Sequence, residues 1–256
     1  MAHMIRLEPE LLLSLRRLLL APLLLAQARS VRRNMLRLPE PSGPREGVIG
    51  TGPALRLLVL GDSAAAGVGV EQQDQALSGR LLQGLSEGHA VHLKLLARTG
   101  LKTSAITSRL RAALPLQTDI AVVSAGVNDV TSDVQAARWI EQVDALARLL
   151  REDAGARLIL FAGLPPMQHF TALPRPLRGY LGVRAALFNR HLRRWAASCP
   201  DCRVLELQWN PDADLIAADG FPPSALAYAQ WAELAAAQIR EYLETASGNP
   251  VASTAG

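Results

Sequence analysis

The amino-acid sequence predicts an α/β fold, a flavodoxin-like three-layer α/β/α sandwich built around a parallel sheet of about five strands. Three observations predict it. Short apolar runs, Arg56–Leu60, Ala90–Ala97, Ile120–Ser124, Arg157–Phe161 and Arg203–Leu207, recur along the chain with longer stretches between them. These runs are close to continuously apolar, as strands covered on both faces must be. The stretches between them repeat at helical spacing: Val134, Ala137, Ile140, Val143, Ala147 and Leu150 fall on one face, and Tyr228, Trp231, Ala235, Ile239 and Leu243 on another. Repeated strand–helix alternation places a parallel sheet between two helical layers. In such sheets ligands bind beyond the carboxyl ends of the strands, so the residues that follow each strand are the ones to read for function.

Composition agrees with one large domain. Of 256 residues, 49% are hydrophobic, enough for a sizeable core, while aromatics at 4% leave Leu, Ala and Val to fill it. Charged residues at 20% exclude a disordered chain. The net charge of +4 gathers in an N-terminal arm, at Arg16, Arg17, Arg29, Arg32, Arg33 and Arg37. It comes without zinc-finger spacing, an RNP-like aromatic motif or basic-zipper heptads, so no nucleic-acid partner is expected. The two cysteines form Cys199-Pro-Asp-Cys202 after a helix ending near Ser198. A redox pair would sit at a helix start, where the dipole lowers the thiol pKa, and a zinc site would need a second pair. They read as loop cysteines, able to form a local disulfide in an oxidising compartment.

Residues 1–53 divide from the rest. Met1-Ala2-His3 resembles a tag remnant. The arm that follows is apolar at Leu11–Leu13, Leu18–Leu20 and Leu23–Leu25, broken by Arg16-Arg17 and Pro22, and its unbroken run is too short to span a bilayer. Three readings stay open: a helix packed on the domain, an amphipathic helix on a membrane surface, and a signal peptide cleaved after Ala26-Gln27-Ala28. A cytoplasmic or membrane-associated location follows from the first two and export from the third. Leu38–Pro53, rich in Pro and Gly, reads as an irregular connector. One domain then runs over residues 54–245, and residues 246–256 form a flexible tail.

At the strand ends the chain reads Gly61-Asp62-Ser63 followed by Ala64-Ala65-Ala66-Gly67, then Arg98-Thr99-Gly100, then Gly126-Val127-Asn128-Asp129, and before the last helix Asp219-Gly220-Phe221-Pro222-Pro223-Ser224. Each is weak alone: Ser63 would serve as an N-cap, and Gly100 and Asn128 as turn formers. In order, at the ends of successive strands, they form a pattern that resembles the SGNH (GDSL-type) hydrolases from about Leu55 to Leu243. The resemblance implies a serine ester hydrolase, esterase- or lipase-like, acting on a small-molecule ester or acyl substrate without a cofactor or metal. Ser63 would be the nucleophile, and its own N–H, the Gly100 N–H and the Asn128 side-chain amide would form the oxyanion hole. That donor set suits acyl transfer, which builds negative charge on the former carbonyl oxygen.

The family's last motif has the form Asp-x-x-His. Asp219 matches, but Pro222 occupies the histidine position. Proline cannot accept the serine proton, so the resemblance implies impaired turnover, or a non-catalytic relative that binds an ester, acyl or glycan ligand. His169, in the loop after the fourth strand, is the candidate substitute base; His89 and His92 lie at the amino end of a strand and His191 within a helix. The stretch Leu164–Leu181, with Phe170, Leu173 and Leu177, could flank an acyl pocket. Gly84-Leu85-Ser86-Glu87-Gly88 matches Gly-x-Ser-x-Gly but ends a helix before a strand, the reverse of a nucleophile elbow. Neither a dinucleotide nor a phosphate-loop fingerprint is present.

Overall fold

The structure, a computed structural model, describes residues 9–34, 38–207 and 223–247. In chain order the elements are α1 (Pro9–Asn34), β1 (Glu46–Ile49), β2 (Ala54–Gly61), α2 (Ser63–Ala66), α3 (Leu77–Leu85), β3 (Ala90–Ala97), α4 (Thr103–Ala113), β4 (Ile120–Ser124), α5 (Val127–Val130), α6 (Ala136–Glu152), β5 (Leu158–Ala162), α7 (Leu177–Ala196), β6 (Cys202–Leu205) and α8 (Ala225–Ser247). The expected C-terminal tail from residue 248 onward, Asp219 and Pro222 lie outside the described residues.

The sheet has six strands in the order β1-β3-β2-β4-β5-β6. Five are parallel, and these are the apolar runs of the sequence. The sixth, β1, pairs antiparallel with β3, Glu46 opposite Lys94 and Ile49 opposite Val91. This corrects the reading of Leu38–Pro53 as wholly irregular. The segment Glu46–Ile49 is mostly exposed and pairs through its backbone, so no burial pattern marks it as a strand.

Alternation along the strands splits the core into two layers. Leu58 and Leu60 of β2, Ala121 and Val123 of β4, and Ile159 and Phe161 of β5 face α4, α6 and α7. Leu57, Val59, Ile120, Val122, Leu158 and Leu160 face α3 and α8. With few aromatics, two pairs join the layers: Trp139 of α6 stacks on Phe188 of α7 at 4.9 Å, and Trp195 of α7 meets Phe161 of β5 edge-on at 5.4 Å. Such pairs contribute about 0.5–1.5 kcal/mol beyond burial. The inner face of α6 is carried by Trp139, Val143, Leu146, Ala147 and Leu150, whereas Ala137 is exposed and Val134 precedes the helix. The face of α8 is the one its spacing predicts, with Tyr228, Trp231, Ala235 and Ile239 buried.

The arm α1 runs through Pro22 and packs on α7, burying Leu24. Gln27 fixes the contact: its amide donates to Arg175 O at 2.7 Å and its carbonyl accepts from Leu177 N at 3.1 Å. The second bond satisfies an N–H at the start of α7 that has no partner within that helix. Among the described residues no helix is long and apolar enough to cross a membrane. Cys202 opens β6 rather than lying in a loop, and burial pushes its thiol well above the usual range, the opposite of a reactive cysteine.

Candidate functional site

The chain leaves β2 toward β3 on one side and later fills β4, β5 and β6 on the other, so the topological switch lies between β2 and β4. A groove opens there, where such folds bind ligands. Among the described residues it is lined by Asp62, Ser63 and Ala64 after β2, Ser124, Ala125 and Val127 around the end of β4, and Ala162, Gly163 and Leu164 after β5. Phe170, Leu207, Ala227 and Trp231 complete an apolar wall.

Ser63 enters this groove because β2 stops abruptly. A side chain on Gly61 would meet Ser124 O at 2.1 Å, so only glycine lets the end of β2 lie against β4. Asp62 then caps the four-residue α2: its carboxylate accepts from Ala64 N at 3.1 Å and from the Ser124 hydroxyl at 3.0 Å. The sequence pattern offers Ser63 as an N-cap; the structure assigns that role to Asp62 and makes Ser63 the first helical residue, half-buried and lining the groove. Burial pushes the Asp62 carboxyl up to about 6 against those hydrogen bonds, helped by the nearby charge of Asp129. Tyr228 supports the far end of the turn, donating to Val68 O at 2.8 Å.

The two oxyanion candidates sit on loops from the strands flanking β2. Gly100 follows β3 with φ +83°, and a Cβ added there would face open space. Asn128 is in α5, after β4, and donates one amide hydrogen to Leu101 O at 2.9 Å, leaving the other. One residue on, buried Asp129 accepts from Thr103 N at 3.0 Å and from the Thr103 hydroxyl at 2.8 Å; that hydroxyl in turn accepts from Trp139 Nε1 at 2.9 Å. The β3–α4 and β4–α5 loops are thus tied together at two points beside the end of β2. Neither Gly100 nor Asn128 is among the residues lining the groove with Ser63.

His169 ends a short 3-10 turn, Met167–His169, that points it outward; it is exposed and does not line the groove. Of the candidate acyl-pocket stretch, Leu164 and Phe170 line the groove, while Leu173 and Leu177 are buried in the core below. Among the described residues no cluster of three or more His, Cys, Asp or Glu could hold a metal ion.

Two supports escape sequence reasoning. Arg184 of α7, almost fully buried, donates to Val130 O, Ser132 O and Val134 O at 3.0, 3.1 and 2.7 Å, holding the segment after Asn128. Asn189 brackets Leu164, accepting from its N–H and donating to its carbonyl, each at 2.8 Å. An arginine among apolar neighbours in Leu181-Gly-Val-Arg184-Ala-Ala-Leu-Phe188 was the available signal for the first.

A family model described as the GDSL-like Lipase/Acylhydrolase family matches residues 59–244. A curated relative, the GDSL-like esterase Rv1075c of Mycobacterium tuberculosis, is 27% identical over 210 residues, covering 78% of this chain; the chain spans 66% of that protein's length. Among solved structures, the lipase Lip_vut3 from a goat rumen metagenome superposes with a TM-score of 0.59 at 20% identity, over 72% of this chain and 96% of its own. Est24, a carbohydrate acetylesterase from Sinorhizobium meliloti, gives 0.54 at 16% identity, over 73% and 99%. At such identities the two solved structures speak for the fold alone.

Proposed function

Since the chain belongs to the GDSL-like lipase/acylhydrolase family, we propose that it is a serine ester hydrolase working through an acyl-Ser63 intermediate, slowed by proline at position 222. The observation that carries this reading is Ser63 at the head of a capped turn, facing an apolar groove at the topological switch. In the proposed reaction Ser63 Oγ bonds to the ester carbonyl carbon and loses its proton to solvent water. The carbonyl oxygen becomes an oxyanion held by the Ser63 and Gly100 N–H groups and the free amide hydrogen of Asn128. Collapse expels the alcohol, which takes up a proton, and water then releases the acyl group as a carboxylic acid. Each oxyanion donor of this kind is worth roughly 10²–10³ in rate.

Ala125, Val127, Leu164, Phe170 and Trp231 suit the acyl side of a short-chain ester, since an apolar wall offers a sugar few hydrogen-bond partners. A proton acceptor is the missing part. Asp219 would have oriented a histidine at 222, and exposed His169 is badly placed to substitute. A hydrolase lacking its base keeps roughly 10³–10⁴ of acceleration over water from binding and the oxyanion site. The same proline favours a second reading, a binding protein for an ester, acyl or glycan ligand. For the arm, exposed Leu23 and Leu25 beside Arg29 and Arg33 support contact with an anionic membrane surface, which cosedimentation with anionic vesicles would read as binding lost on mutating both leucines.

Hydrolysis of p-nitrophenyl butyrate tests the main reading. Pro222→His should raise the rate by about 10²-fold or more, and Ser63→Ala should remove it in either background. Hydrolysis that survives Ser63→Ala moves the nucleophile elsewhere; a folded Pro222→His variant with no gain refutes the assignment of the base.

A further inference from the structure

The Pro-rich connector ahead of β1 makes contacts that a tether does not need. Glu40 Oε1 accepts from Thr99 N at 2.7 Å and from the Thr99 hydroxyl at 2.9 Å. Its other oxygen accepts from Arg45 Nη1 at 3.0 Å, and Arg45 also donates to Ala97 O. One carboxylate therefore holds the residue immediately before Gly100, and its arginine partner holds the last residue of β3. Two residues along the connector, Ser42 forms a bridge with Gln72: Ser42 N donates to Glu71 O at 3.1 Å and Ser42 O accepts from Gln73 N at 2.8 Å. Buried Gln73 then donates to Ala66 O, the last residue of the helix that begins with Ser63, at 2.9 Å. Pro41 lies between these contacts, buried against Gly67.

Gly100 itself makes no such anchoring contact. A Cβ there would find nothing within 4 Å, and its left-handed backbone is the kind that glycine adopts freely. Its position is set by its neighbours: Thr99 by Glu40 on one side, Leu101 by Asn128 on the other. Burial alone would push the Glu40 carboxyl up, but the bonds from Thr99 and Arg45 outweigh it and hold the group below its usual value, so it stays an anion. The prolines at 39, 41 and 44 restrict the backbone on either side and lower the cost of presenting Glu40 and Arg45 together.

We infer that Glu40 is a positioning residue for the oxyanion loop: through Thr99 it aims the Gly100 N–H toward the carbonyl that Ser63 attacks. This rests on the reading of Ser63 as nucleophile. It also places a working part of the site outside residues 59–244, the span matched by the family model.

The test uses the full chain with an alkyl fluorophosphonate, which forms an Oγ–P bond to the nucleophilic serine as fluoride leaves and the proton passes to solvent. Intact mass follows the reaction without needing turnover. Labelling is measured on the chain as it stands and with Pro222→His, and Ser63→Ala should block it in both. Glu40→Ala should slow labelling by roughly 10- to 30-fold, since small misplacements of a reacting group cost up to about 10². In the Pro222→His background it should lower kcat for p-nitrophenyl butyrate and leave KM within about 2-fold. Amide exchange at residues 98–101 should quicken in the same variant. Glu40→Gln, which can still accept from Thr99, should recover most of the rate. Arg45→Met, which leaves the Thr99 bonds in place, should lose only about 3-fold and supplies the answer should Glu40→Ala not fold. A Ser63-dependent label whose rate is the same in the Glu40 and Arg45 variants overturns the inference alone. A label indifferent to Ser63 overturns the nucleophile assignment, and the inference with it.

Discussion

Strand β4 is flanked by a carboxylate at each end, and the two are treated in opposite ways. Asp119, just before the strand, and Asp129, beyond its other end, are both almost fully buried. Asp119 accepts from Arg56 Nε and Nη2 at 3.0 and 2.8 Å, from Arg56 N at 2.8 Å and from Arg157 at 3.1 Å. Those hydrogen bonds, the Arg56 side chain's foremost, hold it down to about 2 despite its burial. Asp129 is raised by burial, against hydrogen bonds from the Thr103 N–H and hydroxyl and the charge of Lys102, and one of its oxygens has no partner. Asp62, beside it, is raised likewise. At the amino end of β4 the acid is stapled by charge pairs; at the carboxyl end Asp62 and Asp129 take their hydrogen bonds from neutral donors in the turns around Ser63. The charge pairs favour the ionised acid at one end of the strand, and burial disfavours it at the other.

Removing the staple should have the largest effect. Asp119→Ala should cost roughly 2 kcal/mol, the worth of the depressed pKa, in which the bond from the Arg56 N–H is already included. Denaturant melts would read this, with Ser63 labelling per folded molecule unchanged; a folded variant with altered labelling would break the division between the ends. The linkage has a definite sign. Asp119 contributes stability that is present above about pH 4 and lost as pH falls toward 2. Asp62, with its pKa raised, does the reverse: its contribution is present below about pH 4 and lost as pH rises through 6. For Asp62 this amounts to roughly 1.4 kcal/mol between pH 5 and 8, and Asp62→Asn should flatten that slope in pH-dependent melts. An unchanged slope would mean that the acid at the site is not held out of water. The smallest effect should come from Arg157→Ala. Its side chain is 60% exposed, so its share of the staple should be at most about 0.5 kcal/mol. A larger loss would mean that Arg157, not Arg56, anchors Asp119.

Much of the fold is legible in the sequence because parallel strands buried on both faces leave continuous apolar runs. Strand β1 is not, since Glu46–Ile49 is held by backbone pairing at an exposed edge. The α6 face drifts from its expected positions because Val134 lies two residues before the helix begins, so spacing counted from it selects exposed Ala137 over Trp139. At the site, local signals survive: Gly61-Asp62-Ser63 makes a turn whose parts touch one another. Long-range ones do not. Glu40 meets Thr99 across 59 positions and Arg184 meets Val130 across 54, and neither spacing leaves a pattern in one chain. His169 looked suitable because it follows a strand at the right end of the sheet, but which way it faces is decided by a 3-10 turn after two prolines.

Gly61 and Gly100 look interchangeable on paper, yet a side chain would meet very different surroundings at each. Position 61 is filled by the carbonyl of Ser124, so any side chain there would push β2 and β4 apart just before the Asp62–Ser63 pair. Position 100 borders empty space, where asparagine could follow the same left-handed path at modest expense. A substitution at 100 would therefore leave the packing of the sheet untouched, while one at 61 would open the joint between two of its strands.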